Sequence, residues 1–141
     1  MKDIQKAKEL LKEDITCVLV KNTEVILSKK TGIKPIMELI NSQKDLTGFS
    51  LADKIVGKAV AMMCVYAKIK TVYAKVLSKQ GLKVLNQNGI NVEYEILVEN
   101  IINRSGTGIC PMEQTVKDED NINNAIIKLN SKIIELQKLN K

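Results

Sequence analysis

The stretch LADKIVGKAVAMMCVYAKIKTVYAKVL, residues 51–77, carries the strongest indication of the fold. Its first part, Leu51–Ala67, has apolar residues on nearly every helical face, which is typical of a helix buried between layers. Ser50 precedes it as a capping residue, and Gly57 inside it indicates close backbone packing. Its last part, Thr71–Leu77, is rich in β-branched residues and predicts a strand. Together they predict a central helix that leads into a strand of an α/β sheet.

The remaining patterns predict the same class, with a sheet that is partly parallel. Short apolar runs at Ile15–Val20 and Val25–Leu27 predict a strand hairpin, because a polar turn separates them. Ile90–Ile96 predicts a later strand that is reached through a helix, and such crossovers join parallel strands. A chain of 141 residues suits one compact domain. We expect residues 1–120 to form it and residues 121–141 to form a C-terminal helix packed on it.

Composition excludes several kinds of site. The chain has no histidine and no CxxC pair, which excludes Ser-His-Asp and Cys-His catalysis and argues against a zinc site. Aromatic residues make up 3%, too few for the stacking platforms of single-stranded nucleic-acid binders. The net charge of +6 comes from dispersed lysines, which is typical of a solvated surface rather than a nucleic-acid interface. Three cysteines and no long apolar segment predict a cytoplasmic protein without a membrane association.

The segment Ser105–Glu113, SGTGICPME, predicts a tight loop that enters a helix. Cys110 takes the N-cap position, Pro111 the first helical position and Glu113 the third. A thiol at such a position is activated by the helix dipole, so Cys110 is a candidate nucleophile with Glu113 as its acid/base. The alternative is a capping box, in which Glu113 reaches back to the Cys110 amide and neither residue has a chemical role.

The glycine loop is the first candidate for ligand binding. Backbone amides of Gly106, Thr107 and Gly108 are candidates to cradle phosphate oxygens, although no P-loop Gly-Lys-Ser/Thr follows. Asn103 and Arg104 adjoin the loop, and Arg104 is the chain's one guanidinium, suited to bidentate phosphate binding. The alternative is a bend that needs a positive φ, with Arg104 on the surface.

The start of the predicted central helix is the second candidate. Asp53 suits a pocket acid, or alternatively a capping box with Ser50. Lys54 and Lys58, one helical turn apart, suit a phosphate, or alternatively form the polar edge of the helix. Helix N-termini and loops gather at the carboxyl ends of parallel strands. We therefore expect this helix start and the segment Asn103–Glu113 to share one anion-binding pocket.

Three stretches resemble a small bacterial family known only as a domain of unknown function, similar in fold to the cytidine deaminases. They are Ser50–Ala59 (SLADKIVGKA), Val72–Ala74 (VYA) and Ile102–Glu113 (INRSGTGICPME). The resemblance implies a three-layer α-β-α sandwich with a cytidine-deaminase-like mixed sheet. Deaminases bind zinc at the starts of the central and next helices. Here those starts, Leu51-Ala52-Asp53 and Ser78-Lys79-Gln80-Gly81, lack the ligands, so the resemblance implies no metal and no zinc-dependent deamination.

These observations favour binding of a nucleotide or another phosphorylated small molecule in a metal-free pocket, with no cofactor. One alternative is a metal-free enzyme that uses Cys110. Another is a non-catalytic interaction module, since the apolar stripe of residues 122–136 suits a homodimer seam as well as packing on its own domain. The candidate catalytic residues are Cys110, Glu113 and Asp53. The candidate ligand-binding residues are Ser50, Asp53, Lys54, Asn103, Arg104, Gly106, Thr107 and Gly108.

Overall fold

A computed structural model describes residues 2–103 and 105–139, and it contains one mixed sheet with helices on both faces. The described strands are β1 Cys17–Lys21, β2 Glu24–Ser28, β3 Ser50–Val56, β4 Thr71–Ser78 and β5 Asn91–Val98. The described helices are α1 Asp3–Leu10, α2 Lys34–Asn41, α3 Lys58–Ala67, α4 Lys79–Gln87, α5 Pro111–Val116 and α6 Ile122–Leu139. In this part of the chain no helix is both long and apolar enough to cross a membrane.

The sheet has the strand order β2-β1-β3-β4-β5. β1 pairs antiparallel with both β2 and β3, whereas β3, β4 and β5 run parallel to one another. The predicted hairpin and the predicted parallel part are therefore confirmed, and α3 and α4 are the crossover helices that parallel pairing requires. The α/β class with a mixed sheet is confirmed as well.

Alternate residues of each central strand enter two different cores. Leu19, Leu51 and Val72 contribute to the larger core, which the sheet forms with α2, α3 and α4. Ala52 and Tyr73 point to the other face, where α1 covers the first halves of the strands. α6 packs on α3 and α5, and it places Ala125, Ile126 and Leu129 in the larger core. The molecule is thus built in layers around an aliphatic interior.

The predicted helix Leu51–Ala67 is wrong in its first half. Residues 50–56 form β3, Gly57 is the N-cap of α3, and the helix begins at Lys58. β3 lies between β1 and β4 and is covered on both faces, so its sequence is nearly continuously apolar, as the helix after it also is. Hydrophobicity cannot separate two such elements that follow one another. Gly57 marks the junction between them.

This correction changes the roles of several candidates. Ser50 begins a strand instead of capping a helix, and Asp53 lies in the middle of that strand, so the predicted Ser50–Asp53 capping box is wrong. Lys54 and Lys58 are not one helical turn apart, because one lies on β3 and the other begins α3. Leu51-Ala52-Asp53, which was compared with the deaminase zinc position as the start of the central helix, is not a helix start, because α3 begins at Lys58.

Candidate functional site

β3, β4 and β5 end side by side at the place where α3 and α4 begin. We call this C-terminal end of the parallel strands the closed edge. The carboxylate of Glu113, from α5, lies on the first turn of α3 there. The backbone N–H of Lys58 donates to Oε1 at 2.7 Å, and the N–H of Ala59 donates to Oε2 at 2.8 Å. The N-terminus of a helix presents unpaired amides and a positive dipole end, which together bind an anion. At the closed edge the protein supplies that anion itself.

Gly57 makes this contact possible. A Cβ on Gly57 would overlap the Glu113 carboxylate and would lie 2.8 Å from Cγ1 of Ile101. Gly81 on α4 is also close, because a Cβ built there would lie 3.0 Å from the Gly57 carbonyl oxygen. Ser78 caps α4 by accepting the Gly81 N–H at 3.0 Å. The two helix starts are therefore packed backbone to backbone, with no room for a larger residue at position 57.

A buried lysine completes the closure. Lys58 is only 7% exposed, and its Nζ donates to the carbonyl oxygen of Lys117 at 3.0 Å and lies 3.7 Å from Oδ1 of Asp120. Burial raises the pKa of Glu113, whereas the amides of Ala59 and Lys58 and the Lys58 charge act in the opposite direction. The remaining cavity at this edge is about 30 Å³, lined by residues that include Gln80 and Glu113. This space admits no more than a few water molecules.

The structure confirms Cys110 as the N-cap of α5, with Pro111 as its first residue. The capping box is wrong, because both oxygens of Glu113 accept amides of α3 and neither turns back to Cys110. Glu113 is in consequence engaged in binding another helix rather than poised beside the thiol. Its partner lies 55 residues away in sequence, and no spacing rule links the two.

The glycine loop is a small hairpin held by its own polar atoms. Its ends are joined by the Asn103 N–H, which donates to the Gly108 carbonyl at 2.8 Å. The Asn103 side-chain oxygen accepts the Thr107 N–H at 3.1 Å, so that amide is already used. Gly106 has φ +73°, the conformation that the bend interpretation requires. Arg104, the predicted phosphate ligand, lies outside the described residues.

Asp53 is buried between the sheet and α3. It is 6% exposed, lies in register with Cys17 of β1, and accepts the Ile55 N–H on Oδ1 at 3.2 Å. Oδ2 has no hydrogen-bond partner within residues 2–103 and 105–139. Burial raises the pKa of Asp53 to about 7. Burial, with a smaller effect of the Asp53 charge, also raises the pKa values of the Cys17 and Cys64 thiols.

The residues that were expected to line one shared pocket therefore lie in separate places. Ser50 lies at the beginning of β3 and Val56 at its end, about 20 Å apart for a strand of this length. Lys54 Nζ donates to the Glu13 carbonyl and Asp53 is in the core, so neither reaches the glycine loop in this arrangement. The elements that were expected to meet do meet, at Lys58, Ala59 and Glu113. The residues assigned to the helix start were wrong, and Gly57 was the sequence feature that marked its true position.

A deaminase-type zinc ion does not fit these residues. The true start of α3 is Gly57-Lys58-Ala59, which offers a lysine instead of a histidine or cysteine, and the start of α4 is Ser78-Lys79-Gln80-Gly81. Over the described part of the chain, no three His, Cys, Asp or Glu side chains lie close enough together to hold a metal ion.

Comparison with known proteins gives a family match and a similar solved structure. The model of the family described as a domain of unknown function, DUF1893, matches residues 5–133. The structure is similar to that of the DUF1893 family protein TM1506 from Thermotoga maritima, with a TM-score of 0.85, 30% identity, and coverage of 94% of this chain and 91% of that one.

Deaminases are more distant structural neighbours. The apo dCMP deaminase from the cyanophage S-TIM5 gives a TM-score of 0.45 at 17% identity, with 65% of this chain and 93% of that chain covered. A diaminohydroxyphosphoribosylaminopyrimidine deaminase/5-amino-6-(5-phosphoribosylamino)uracil reductase from Thermotoga maritima gives 0.48 at 17% identity, with 67% and 35% covered. No functionally curated protein matches the sequence. On the extent of the family match, the chain belongs to the DUF1893 family.

Proposed function

We propose that the protein binds a nucleotide or another phosphorylated small molecule at the N-terminus of α3, in exchange for the Glu113 carboxylate, and does not deaminate it. One observation carries the proposal: the amides of Lys58 and Ala59 already hold a pair of carboxylate oxygens at 2.7 and 2.8 Å. Phosphate oxygens use the same kind of donors at helix N-termini. The geometry that accepts Glu113 is therefore suited to a phosphate group.

The surroundings support an exchange. Lys58 is the first residue of α3, and its charge lies close to the bound carboxylate. There it would compensate the second negative charge of a phosphate group. Glu113 belongs to α5, a helix of six residues that follows the glycine hairpin. Release of the Glu113 carboxylate alone uncovers the α3 amides, and Gly57 has no side chain that would cover them. A ligand competes with an internal anion, so its apparent affinity is reduced by the fraction of time that Glu113 occupies the site.

The two alternatives receive less support. A Cys110 nucleophile needs a proton acceptor, and Glu113 uses both oxygens on α3. The apolar stripe of α6 supplies Ile126 and Leu129 to the larger core, where a homodimer seam would need them exposed.

Calorimetric titration with dCMP, and separately with ribose 5-phosphate, tests the proposal. Glu113→Ala removes the competing carboxylate, so it should bind at least one of the two about tenfold more tightly than the wild type, a difference of about 1.4 kcal/mol. Glu135→Ala removes an exposed acid whose one partner among the described residues is Lys132, and it should leave binding unchanged. Equal affinities of the wild type and Glu113→Ala, or no binding by either, would contradict the proposal.

A further inference from the structure

The opposite, N-terminal end of the parallel strands, where β3, β4 and β5 begin, carries an open groove of about 610 Å³. We call it the edge groove. We propose that the edge groove is a second ligand site, separate from the α3 N-terminus, and that it binds a sugar phosphate. Its volume lies within the range of small-molecule sites, about 300–1,000 Å³. The first turn of α1 forms one wall of the groove, and the first residues of the three parallel strands form another.

Ser50 is the observation that points most directly to a ligand. It lines the edge groove and is only 4% exposed, yet its hydroxyl has no hydrogen-bond partner among the described residues. The Ser50 hydroxyl still contacts solvent, because Asp53 Oδ2 is the one fully buried side-chain polar atom without a partner among the described residues. A hydroxyl that lines an open groove and has no protein partner is available for a hydrogen bond to a ligand atom.

Two further polar side chains extend the row across the sheet. Thr71 and Asn91 are the first residues of β4 and β5, and the strand register aligns Ser50 with Thr71 and Thr71 with Asn91. Both line the edge groove, and neither side chain has a partner in the part of the chain that the structure describes. Register-aligned residues project from the same face of a sheet, which gives three adjacent side chains with hydrogen-bonding groups left over.

The charges of the edge groove favour an anion. Lys2 and Lys70 line it, and within residues 2–103 and 105–139 neither ammonium group has a partner. Its carboxylates, by contrast, are engaged: Glu93 pairs with Lys8 at 3.1 Å, and Asp3 accepts the Asn22 N–H at 3.2 Å. α1 begins at Asp3 without a side-chain cap, so its first amides also face this end. Two ammonium groups without a protein partner suit a phosphate group.

The rest of the lining selects a sugar instead of a base. Gln5 and Asn91 offer amide groups that hydrogen-bond to hydroxyls, and Ile4 is the one apolar residue among the described lining. The described lining contains no aromatic ring on which a nucleobase could stack. The structure thus separates the two ends of β3 by chemistry as well as by distance.

Amide NMR titration with ribose 5-phosphate tests the edge groove. Ser50, Thr71 and Asn91 amides should shift with a single saturating dissociation constant. Lys70→Met keeps the aliphatic stem and removes the charge, and it should weaken binding about tenfold, as Ser50→Ala should do to a smaller extent. Lys83→Met, an exposed lysine on α4 outside the groove, should behave as wild type. The spectrum of each variant verifies that it is folded.

Two comparisons decide the outcome. Inorganic phosphate and ribose should each bind about tenfold more weakly than ribose 5-phosphate, since each meets only half of the site; equal binding of phosphate would overturn the sugar assignment. Equal affinities of Lys70→Met and Lys83→Met, or shifts confined to Lys58 and Ala59, would overturn the site. Because Glu113→Ala changes only the α3 site, failure of one proposal leaves a distinct signature from failure of the other.

Discussion

Polar groups are paired within the protein at the closed edge, whereas at the edge groove several of them have no protein partner. At the closed edge the amides of Lys58 and Ala59 are paired with Glu113, and the Lys58 ammonium is paired with a carbonyl oxygen and an aspartate. At the edge groove Ser50 and Lys70 have no partner among the described residues. Groups paired within the protein stabilise the fold, whereas the unpaired groups of the edge groove contact solvent and are available to a ligand. The contrast indicates which edge serves stability and which is open to solution.

Asp53 lies midway along β3 and belongs to neither edge, and its substitution should have the largest effect. Burial raises its pKa from 3.8 to about 7, so the folded state binds this proton more tightly than the unfolded state. The stabilisation that this bound proton gives the folded state is complete below about pH 4 and is lost as the pH rises to about 7. The wild type loses this stabilisation as the pH rises, whereas Asp53→Asn has no carboxyl to titrate. The unfolding free energy of Asp53→Asn minus that of the wild type should therefore be about 2–4 kcal/mol higher at pH 8 than at pH 4, since one pKa unit is about 1.4 kcal/mol.

Urea denaturation of both proteins at several pH values measures this gain. If Asp53→Asn keeps the wild-type pH dependence, the buried carboxyl responsible is the other one with a raised pKa, Glu113, and the closed edge is the pH-sensitive region.

Gly57→Ala tests the close packing at the closed edge. The added methyl overlaps the Glu113 carboxylate and Ile101, so it should lower the free energy of unfolding by about 2–3 kcal/mol. Gly108→Ala is the matched control, because a Cβ at that position would meet no described atom within 4 Å and its φ is not positive. We expect the control to stay within about 0.5 kcal/mol of wild type. Equal effects of the two variants would remove the structural basis for the closed edge.

Glu113→Ala leaves the amides of Lys58 and Ala59 without their carboxylate. Loss of these bonds should cost about 1–2 kcal/mol, less than the clash at position 57, because water can reach the uncovered edge. Chemical denaturation measures the cost. In the double variant Gly57→Ala/Glu113→Ala the two costs should not add, since each disrupts the same contact; full additivity would show that they act separately.

The smallest effects on stability should come from the edge groove. Ser50→Ala removes a hydroxyl that bonds to nothing in the described structure, and Lys70→Met removes an exposed charge. Each should change the free energy of unfolding by no more than about 0.5 kcal/mol. Thermal or urea unfolding without ligand is the measurement. A loss as large as that of Glu113→Ala would place Ser50 among the residues that hold the fold together, and the contrast between the edges would disappear.

The sequence predicted the parts of the fold that depend on local pattern. The hairpin, β4, β5 and the Cys110–Pro111 helix start follow from apolar runs and capping chemistry. The strand–helix boundary at Gly57 could not be predicted in this way, because a buried central strand and a buried helix are equally apolar. The partners of Glu113 were out of reach for another reason: its contact spans 55 residues and depends on tertiary packing. The row from Ser50 to Asn91 likewise exists only through strand register.

Hydrogen exchange at the first amides of α3 tests most directly the claim that the protein's own carboxylate closes this edge. The Ala61 N–H, which donates to the Gly57 carbonyl oxygen at 3.0 Å, is the internal reference. We expect Glu113→Ala to accelerate exchange at Lys58 and Ala59 about tenfold or more relative to Ala61, with Ser50 and Thr71 unaffected. Unchanged relative exchange at Lys58 and Ala59 would show that Glu113 does not hold them, and would contradict closure of this edge by the protein's own carboxylate.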